Sequence, residues 1–463
     1  MVRTIDVAQL IDRQKINWFV IGVLIACTLV ALADGYNITV IAFAAPAMVK
    51  AWALDRASLG FLLSASFFSG VVGPLFFGYL ADRVGRRNCM LVTTLMFGVF
   101  GLASAFCGSL TPLVVVRFLA GIGMSGAVAV TVTLTNEFAP RRMRATFVTL
   151  VFSGTTIGSG LPGLVAASLM ADYGWQILFW IGGGVTLIIA FGLLFILPES
   201  PKFLSLRPER RSELGALLSR LAPGFKLTPD MAFVIHEEGD SGRLSLRQLF
   251  VGRLAFLTPL LWFCAFDVMM MFQFLISWLP TLLTESGVTI VGASLAGTVF
   301  QFAGTLGGWC IMRPLDKYGM LPVTVLYVLS IPVIACLGLP GNSEETMLAL
   351  CAAAGFCVLG LHFGQISGAS NVYPTSIRAM GVGWFTLFAR VGMAVGPLAA
   401  GVLLARHVAI KTLFYMATLP MAIGAVVSAI VTLLYLAHYQ RAGEADDVPA
   451  GGLAIGDGKA DMV

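Results

Sequence analysis

The chain has 463 residues, of which 58% are hydrophobic and only 11% charged, and its formal net charge is +5. A soluble domain carries about 25% charged residues, so this composition excludes a water-soluble fold and predicts a protein that crosses the membrane several times. The eight cysteines show no metal-ligand spacing, and the sequence holds no P-loop, GxSxG or HExxH pattern. We therefore expect neither an enzyme nor an ATP-driven machine, and no metal or other cofactor.

Twelve apolar stretches are long enough to cross the roughly 30 Å hydrocarbon core of a bilayer as helices. In chain order they are 18–41, 57–80, 88–108, 112–136, 145–170, 176–197, 254–284, 288–312, 321–340, 346–372, 378–405 and 412–437. We predict an all-α membrane fold with an N-terminal six-helix half (1–197), a cytoplasmic central loop (198–253), a C-terminal six-helix half (254–440) and a cytoplasmic tail (441–463). Within the central loop, LRPERRSELGALLSRL (206–221) has the pattern of an amphipathic helix at a membrane surface.

The basic residues predict the orientation. If the N-terminus is inside, the inner segments carry 23 Lys and Arg, the outer loops carry 4, and 2 lie within spans, which together make the 29 of the chain. By the positive-inside rule both termini are cytoplasmic, and we expect the protein in a bacterial inner membrane. Topology accounts for the basic loops, so the expected partners are the lipid bilayer and a small substrate, with no nucleic acid.

The two halves repeat one another. Three landmarks recur at offsets of 233 or 234 residues: Asp34 and Asp267, Asp82-x-x-Gly85 and Asp316-x-x-Gly319, and Pro140-x-x-x-Arg144 and Pro374-x-x-x-Arg378. A duplication of six helices related by an axis along the membrane normal is a known transporter design. The repeat therefore favours a carrier with two pseudo-symmetric halves over a channel or a membrane enzyme.

Several segments resemble a known family. GYLADRVGRR (78–87) resembles the loop 2–3 signature of the major facilitator superfamily. Further segments are similar to the aromatic acid:proton symporters of that superfamily: DGYNITVIAFAAP (34–46), VRFLAGIGMSGA (116–127), NEFAPRRMRA (136–145), LPESPKFL (197–204) and NVYPTSIRAMGVGWFTLFARVGMAVGP (371–397). The resemblance implies the major facilitator fold, a functional monomer, and import of benzoate-like or hydroxybenzoate-like carboxylates with protons by alternating access. The chain has Asn37 where the family usually has a second Asp, which leaves the proton stoichiometry open.

Asp34 lies inside the first apolar stretch, where a charge costs at least about 2.5–3.5 kcal/mol on insertion scales and is usually functional. We expect Asp34 to carry the coupling proton. Arg117 is predicted at a similar depth, where it could help hold the substrate carboxylate or form a permanent structural pair with Asp34. Glu137, at the cytoplasmic end of span 4, is expected in a proton-coupling charge network, with a solvated helix end as the alternative.

Arg390 and Asp267 are both predicted near the membrane midplane in the second half. The planar guanidinium of Arg390 suits bidentate binding of a carboxylate, so we expect it to anchor the substrate, or else to form a structural pair with Asp267. Further substrate contacts are expected from polar and aromatic side chains: Tyr36, Asn37, Gln273, His362, Asn371, Phe272 and Trp384. Charged residues near the cytoplasmic ends of spans 2 and 8 and at the start of span 11 are expected to act in gating: Asp82, Arg83, Arg86, Arg87, Asp316 and Arg378.

The sequence thus favours a proton-coupled importer of a small organic anion, an aromatic carboxylate before others. A carrier of a non-aromatic acid or ring-cleavage product remains an alternative. A drug:proton antiporter or a sugar symporter of the same fold is disfavoured, because two arginines inside the membrane suit an anion better.

Overall fold

A computed structural model describes residues 3–13, 16–70, 72–221, 231–234, 246–374 and 377–446. The side chains of Asp316 and Asn371 lie outside the described part of the chain. All twelve predicted apolar stretches meet apolar helices, of which eleven spans are long enough to cross a membrane and one, Leu321–Leu337, is shorter. The predicted all-α membrane fold is therefore confirmed.

The first half contains seven helices along its six spans. They are α2 (Trp18–Trp52), α3 (Arg56–Phe68), α4 (Val72–Val84), α5 (Arg86–Ala103), α6 (Leu110–Phe138), α7 (Arg144–Tyr173) and α8 (Gln176–Ile196). They follow β1 (Arg3–Asp6) and α1 (Val7–Arg13). The second span is divided into α3 and α4, which are separated by a turn at Ser69–Gly70.

The second half contains one helix for each span. These are α11 (Leu254–Glu285), α12 (Ile290–Tyr318), α13 (Leu321–Leu337), α14 (Glu344–Val372), α15 (Arg378–Ala405) and α16 (Ile410–Asp446). The linking segment contains α9 (Pro201–Ser205), α10 (Arg211–Leu221) and β2 (Met231–Val234).

The first transmembrane helix is longer than the sequence predicts. It continues from Trp18 to Trp52 instead of ending near residue 41. The extension is mostly small and apolar, AFAAPAMV (42–49), and the helix ends at Ala53 in the left-handed region with φ 47°. Asp34 is thus close to the middle of a 35-residue helix, about 27 Å from its end.

The two halves pack against each other through three pairs of helices: α3 with α15, α7 with α12, and α2 with α11. At the ends of the spans away from the basic loops this contact is close. A β-carbon on Gly60 would lie 2.9 Å from the Gly401 Cα atom and from the Pro397 carbonyl oxygen. Arg56 and Glu285 form an ion pair of 2.7 Å at the same end. The halves are therefore joined at the face opposite the basic loops, which we call the distal face.

The linking segment folds onto the first half. The leucines of α10 that face inward, Leu214, Leu217, Leu218 and Leu221, are buried in one cluster with Val20 and Phe203. Asn17 Nδ2 donates to the Arg220 carbonyl oxygen at 2.7 Å. The amphipathic helix is present but shorter than 206–221, and its apolar face is covered by the protein itself.

A hydrogen bond from Arg210 holds the pKa of the Glu213 carboxyl below its usual range. β1 and β2 pair in parallel, Arg3 opposite Met231.

Candidate functional site

Asp34 is a buried carboxylate in an apolar cavity. Its residue is 2% exposed, and neither carboxylate oxygen has a hydrogen-bond partner among the described residues. Neighbouring helices α2, α6 and α7 line the cavity with Val30, Ala31, Val128, Thr131, Val132, Val151, Phe152 and Thr155. A carboxyl group in these surroundings is costly in its charged form unless a cation or a proton compensates it.

The charge that acts on Asp34 comes from the other half of the molecule. No hydrogen bond or ion pair joins Asp34 to Arg390 of α15 among the described residues, and the Arg390 guanidinium acts on the Asp34 carboxyl only through its charge at longer range. Its Nη1 donates to the Gly70 carbonyl oxygen at 3.0 Å, at the turn where α3 gives way to α4. This carbonyl is available because the residue four positions later is Pro74, which has no backbone N–H to donate. Arg390 therefore connects the second half to the turn between α3 and α4.

The predicted Asp34–Arg117 pair is wrong for this structure. Arg117 is fully buried, and its Nη2 donates to the Asn37 carbonyl oxygen. Its guanidinium lies 6.0 Å from the ring centroid of Phe179, and Nε and Nη1 have no partner in the part of the chain that the structure describes. Depth alone could not separate the two positions on α2, because Arg117 meets the helix at Asn37, about 4.5 Å along its axis from Asp34.

The predicted Asp267–Arg390 pair is also wrong. Asp267 is buried and lies beside Tyr327 of α13 and Gly424 of α16. α15 packs on another side of α11, where a β-carbon on Gly392 would lie 2.2 Å from the Phe266 carbonyl oxygen. Successive side chains of a helix point about 100° apart around its axis. Asp267 and Arg390 could therefore lie at the same depth in the membrane without facing each other.

Two predicted substrate contacts lie inside the first half. The Tyr36 hydroxyl donates to the Leu178 carbonyl oxygen at 3.0 Å. Asn37 Nδ2 donates to the Ala33 carbonyl oxygen at 3.0 Å and to Thr186 Oγ1 at 3.2 Å. Both side chains therefore connect α2 to itself and to α8, and the structure does not bring them together with Arg390.

The predicted contacts of the second half are spread over three helices. Gln273 Nε2 donates to Ser277 Oγ at 2.8 Å, and Phe272 stacks on Phe300 with ring centroids 6.1 Å apart. His362 is partly buried, and its Nδ1 has no partner among the residues that are described. Trp384 stacks with Trp262 at 5.6 Å. Asn371 is a predicted contact whose side chain lies outside the described residues.

The predicted gating residues of the first half form a network at the face of the basic loops. Arg86 binds Asp82 at 2.7 Å and lies 3.5 Å from Glu137. Arg83 lies over the Tyr79 ring at 4.4 Å, and Arg87 donates to the Leu194 carbonyl oxygen at 2.6 Å. In the second half, Arg378 Nε donates to the Tyr373 carbonyl oxygen at 3.4 Å. The side chain of Asp316 is outside the described part.

Glu199 belongs to this network, although the sequence reasoning missed it. Its Oε1 accepts hydrogen bonds from the backbone amides of Arg86 at 2.8 Å, Arg87 at 3.1 Å and Ser200 at 2.9 Å. Ser200 in turn donates to Glu137 Oε2. Glu199 thus caps the N-terminus of α5 from a distant segment, and Gly85, with φ 103°, provides no cap of its own. The signal was the acidic residue of LPESPKFL, three residues beyond the last apolar helix of the half.

Comparison with known proteins identifies the architecture. Residues 24–373 match the Major Facilitator Superfamily. The chain belongs to the major facilitator superfamily. It is 33% identical to the 4-hydroxybenzoate transporter PcaK of Pseudomonas putida, covering 87% of this chain and 90% of the relative. It is also 33% identical to the gallate transporter of Pseudomonas putida, with 90% and 92% covered. The benzoate transport protein of Acinetobacter baylyi is 29% identical, with 92% of both chains covered.

These similarities place the major facilitator chain in the aromatic acid transporter family, which makes it a transporter and not an enzyme.

Solved structures agree on the fold. A bacterial homolog of the human lysosomal transporter Spinster, inward-facing and unoccupied, gives a TM-score of 0.66 at 17% identity, with 91% of this chain and 97% of that chain covered. The partially occluded inward-open xylose transporter XylE of E. coli gives 0.65 at 15% identity, with 88% and 98% covered.

Proposed function

We propose that this major facilitator protein is a proton-coupled symporter that imports a small organic anion, specifically an aromatic carboxylate such as benzoate or a hydroxybenzoate, by alternating access. The observations that carry the proposal are the buried Asp34 carboxyl without a hydrogen-bond partner among the described residues and the Arg390 guanidinium, which donates to Gly70 across the junction of the two halves. The names of the relatives support an aromatic acid as the substrate. A carboxylate also matches the planar donor pattern of a guanidinium.

The mechanism follows from competition for one cation. In the substrate-free carrier, the charge of Arg390 compensates the unpartnered Asp34 carboxylate. When a substrate carboxylate binds to Arg390, that compensation is lost, and Asp34 is more stable with a proton bound. Substrate and proton therefore bind together, and a loaded site is electrically balanced in the apolar interior. Departure of the anion restores the Asp34–Arg390 interaction and releases the proton.

The orientation of the proposed cycle follows from the basic loops. We place the face that carries them in the cytoplasm of a bacterium, with both termini on that side. The distal face, where Arg56–Glu285 and Gly60–Gly401 join the halves, is then the outer face. In this orientation the structure has its outer end closed, which is the arrangement from which an importer releases its substrate.

The deciding experiment is uptake of radiolabelled 4-hydroxybenzoate in a bacterial host that lacks aromatic acid transporters, with and without a protonophore. We expect uptake that the protonophore abolishes and that unlabelled aromatic acids reduce. Competition by non-aromatic acids alone, or the absence of any competition and uptake, would contradict an aromatic substrate.

Asp34→Asn tests the proton-binding role in the same assay. The variant cannot exchange a proton, so we expect it to lose accumulation against a gradient at least about tenfold while it retains exchange of labelled for unlabelled substrate. Asp172→Asn, at an exposed position of α7, is the matched control and is expected to behave like the wild type. Normal accumulation by Asp34→Asn would refute Asp34 as the proton carrier.

A further inference from the structure

A second buried carboxyl group, Asp267, lies in the C-terminal half and has no role in the mechanism above. Its residue is 1% exposed. The Tyr327 side chain of α13 lies beside it, since both side chains pack against Gly424 of α16, and Gln365 Nε2 of α14 donates to the Tyr327 hydroxyl at 2.9 Å. Side chains from three helices thus form one buried polar group, which we call the Asp267 cluster.

The packing around the Asp267 cluster is close. A β-carbon on Gly424 of α16 would lie 2.5 Å from Asp267 Oδ2 and 2.3 Å from Tyr327 Cε1. Only a glycine therefore allows α16 to approach the carboxyl group this closely. Asp267 Oδ2 and Gln365 Oε1 have no hydrogen-bond partner within the described structure. The cluster holds more acceptor oxygens than donor hydrogens, and a proton on the carboxyl group would reduce that imbalance.

No cation compensates Asp267 in the part of the chain that is described. The titratable groups that interact with it are Tyr327 and, on α11 itself, Cys264. The other contributions to the cluster, Gln365 from α14 and Gly424 from α16, are uncharged.

Two further helices packed on α11 carry basic residues that lie against other groups or solvent. Arg390 of α15 donates to the Gly70 carbonyl oxygen. The described basic residues of α12, Arg313 and Lys317, are exposed near its C-terminal end. An ionised Asp267 would have its Oδ2 atom without a hydrogen-bond partner among the described residues, which is costly for a charge in a membrane interior.

We propose that Asp267 is a second proton-binding site of the transport cycle, so that each half of the carrier contributes one titrating carboxyl group. The proposal rests on the proton-coupled function inferred above and extends it from one proton to two. It also answers the question raised by Asn37: the second acid is absent from the first helix and is supplied by the seventh span.

The position of Asp267 on α11 connects it to the substrate anchor. Phe266, its neighbour in sequence, packs through its carbonyl oxygen against Gly392 of α15, two residues beyond Arg390. In the proposed cycle, a shift of this turn of α11 on protonation of Asp267 would reach the Arg390 turn of α15 through that contact.

The first test does not depend on the substrate. Infrared spectra of the purified full-length protein in lipid nanodiscs are recorded as a function of pH for the wild type, Asp267→Asn, Asp34→Asn and Asp172→Asn. We expect one carbonyl-stretch band of a protonated carboxyl group to disappear in Asp267→Asn, and the same band to titrate with pH in the wild type. An Asp267-dependent band that stays constant throughout the pH range in which the protein is folded would show permanent protonation and overturn the proposal.

The second test counts protons with labelled 4-hydroxybenzoate in proteoliposomes at zero membrane potential. One pH unit is worth 1.36 kcal/mol for each coupled proton, so two protons raise accumulation about 100-fold per unit of ΔpH and one proton about 10-fold. We expect the steeper dependence for the wild type and the shallower one for Asp267→Asn. Asp172→Asn, at an exposed position of α7, leaves both buried carboxyl groups in place and should keep the steeper slope.

If wild-type accumulation rises only about 10-fold per unit of ΔpH, the second proton site is overturned, even if Asp267→Asn fails to fold. Accumulation that depends on ΔpH only when sodium is present would also overturn it. If the wild type shows no ΔpH-driven accumulation at all, the proposed function fails, and the infrared titration alone then decides the role of Asp267.

Discussion

Arg390 performs two tasks with one side chain. Its Nη1 binds the Gly70 carbonyl oxygen of the first half, and its charge acts on Asp34. Arginine can do both because its donors are spread over a rigid planar fork, whereas a lysine concentrates its charge at one flexible point. The shape of the side chain at this position therefore matters as much as its charge.

We predict that Arg390→Lys loses most uptake, on the order of tenfold or more, because the ammonium group cannot satisfy Gly70, Asp34 and a substrate carboxylate together. The measurement is initial-rate uptake of labelled 4-hydroxybenzoate at matched expression in the membrane. Arg406→Lys, at an exposed position at the end of α15, is the control and should be unaffected. Transport by Arg390→Lys at the native rate would remove Arg390 as the anchor.

The sequence identified the charged residues inside the membrane but paired them incorrectly. Asp34, Arg117, Asp267 and Arg390 are all buried or largely buried, as an intramembrane charge should be. Their partners could not be predicted, because pairing depends on where each helix ends and which face it presents. Arg117, for example, meets α2 about one helical turn away from Asp34, at Asn37, and a depth counted from the sequence does not resolve such a difference.

At the scale of the helices, α5 depends on an acidic residue from another segment. Its first backbone amides, of Arg86 and Arg87, are bound by Glu199, which also places a negative charge at the positive end of the helix dipole. The linker after α8 and the loop between α4 and α5 are thereby held together. Glu137, at the end of α6, joins the same group through Arg86 and Ser200.

Replacing Glu199 should destabilise the first half. We expect Glu199→Ala to lower the free energy of unfolding by about 0.5–2 kcal/mol, the usual range for loss of a helix cap. Glu199→Gln should cost less, because it retains an acceptor oxygen but loses the charge–dipole contribution. Thermal unfolding in detergent measures the effect, with Glu209→Ala at an exposed position nearby as the control. Equal melting temperatures for Glu199→Ala and Glu209→Ala would contradict the capping role.

The sequence correctly predicted how many apolar segments there are and that each of them is helical. Each apolar stretch was long enough to require a helix in lipid, because no other structure satisfies its backbone groups. The break of the second span at Ser69–Gly70 was missed, although the sequence shows Pro74, which removes the i→i+4 donor for the Gly70 carbonyl oxygen. That turn is meaningful only in the folded molecule, where Arg390 binds the freed carbonyl oxygen.

At the scale of the whole molecule, the two halves are held together at the distal face by contacts that leave no room for a side chain. Gly60 and Gly401 bring α3 and α15 into backbone contact there, and nearer the middle of the spans Thr298 of α12 donates to the Gly160 carbonyl oxygen of α7 at 3.1 Å. A carrier that alternates must separate these contacts once in every cycle. Their strength therefore sets the balance between the two open states.

We predict that Gly60→Ala shifts this balance towards a distally open state. Its β-carbon would be 2.9 Å from backbone atoms of α15, and overpacking of this kind costs about 1–3 kcal/mol, which changes a two-state population about 5- to 150-fold. Spin labels at Ala51 and Ser286, both exposed at the distal face, should report a longer distance by electron paramagnetic resonance, and uptake should fall.

Gly22→Ala is the matched control for this prediction, because a β-carbon at Gly22 meets nothing within 4 Å. Both substitutions raise helix propensity equally, so a difference between them reports the helix contact alone. An unchanged label distance and normal uptake in Gly60→Ala would show that the contact does not limit opening.

The strand pair formed by Arg3–Asp6 and Met231–Val234 has a practical consequence for dividing the protein. If the gene were split within 222–230 and the two pieces co-expressed, one strand would remain on each polypeptide. The parallel strand pair would then be a contact between two polypeptides, and it would bring the separately inserted halves together. Since a two-stranded ribbon is marginally stable in water, it would guide reassembly, while the buried contacts between the halves would supply its driving force. A split carrier that lacks residues 1–6 should reassemble less efficiently than one that keeps them.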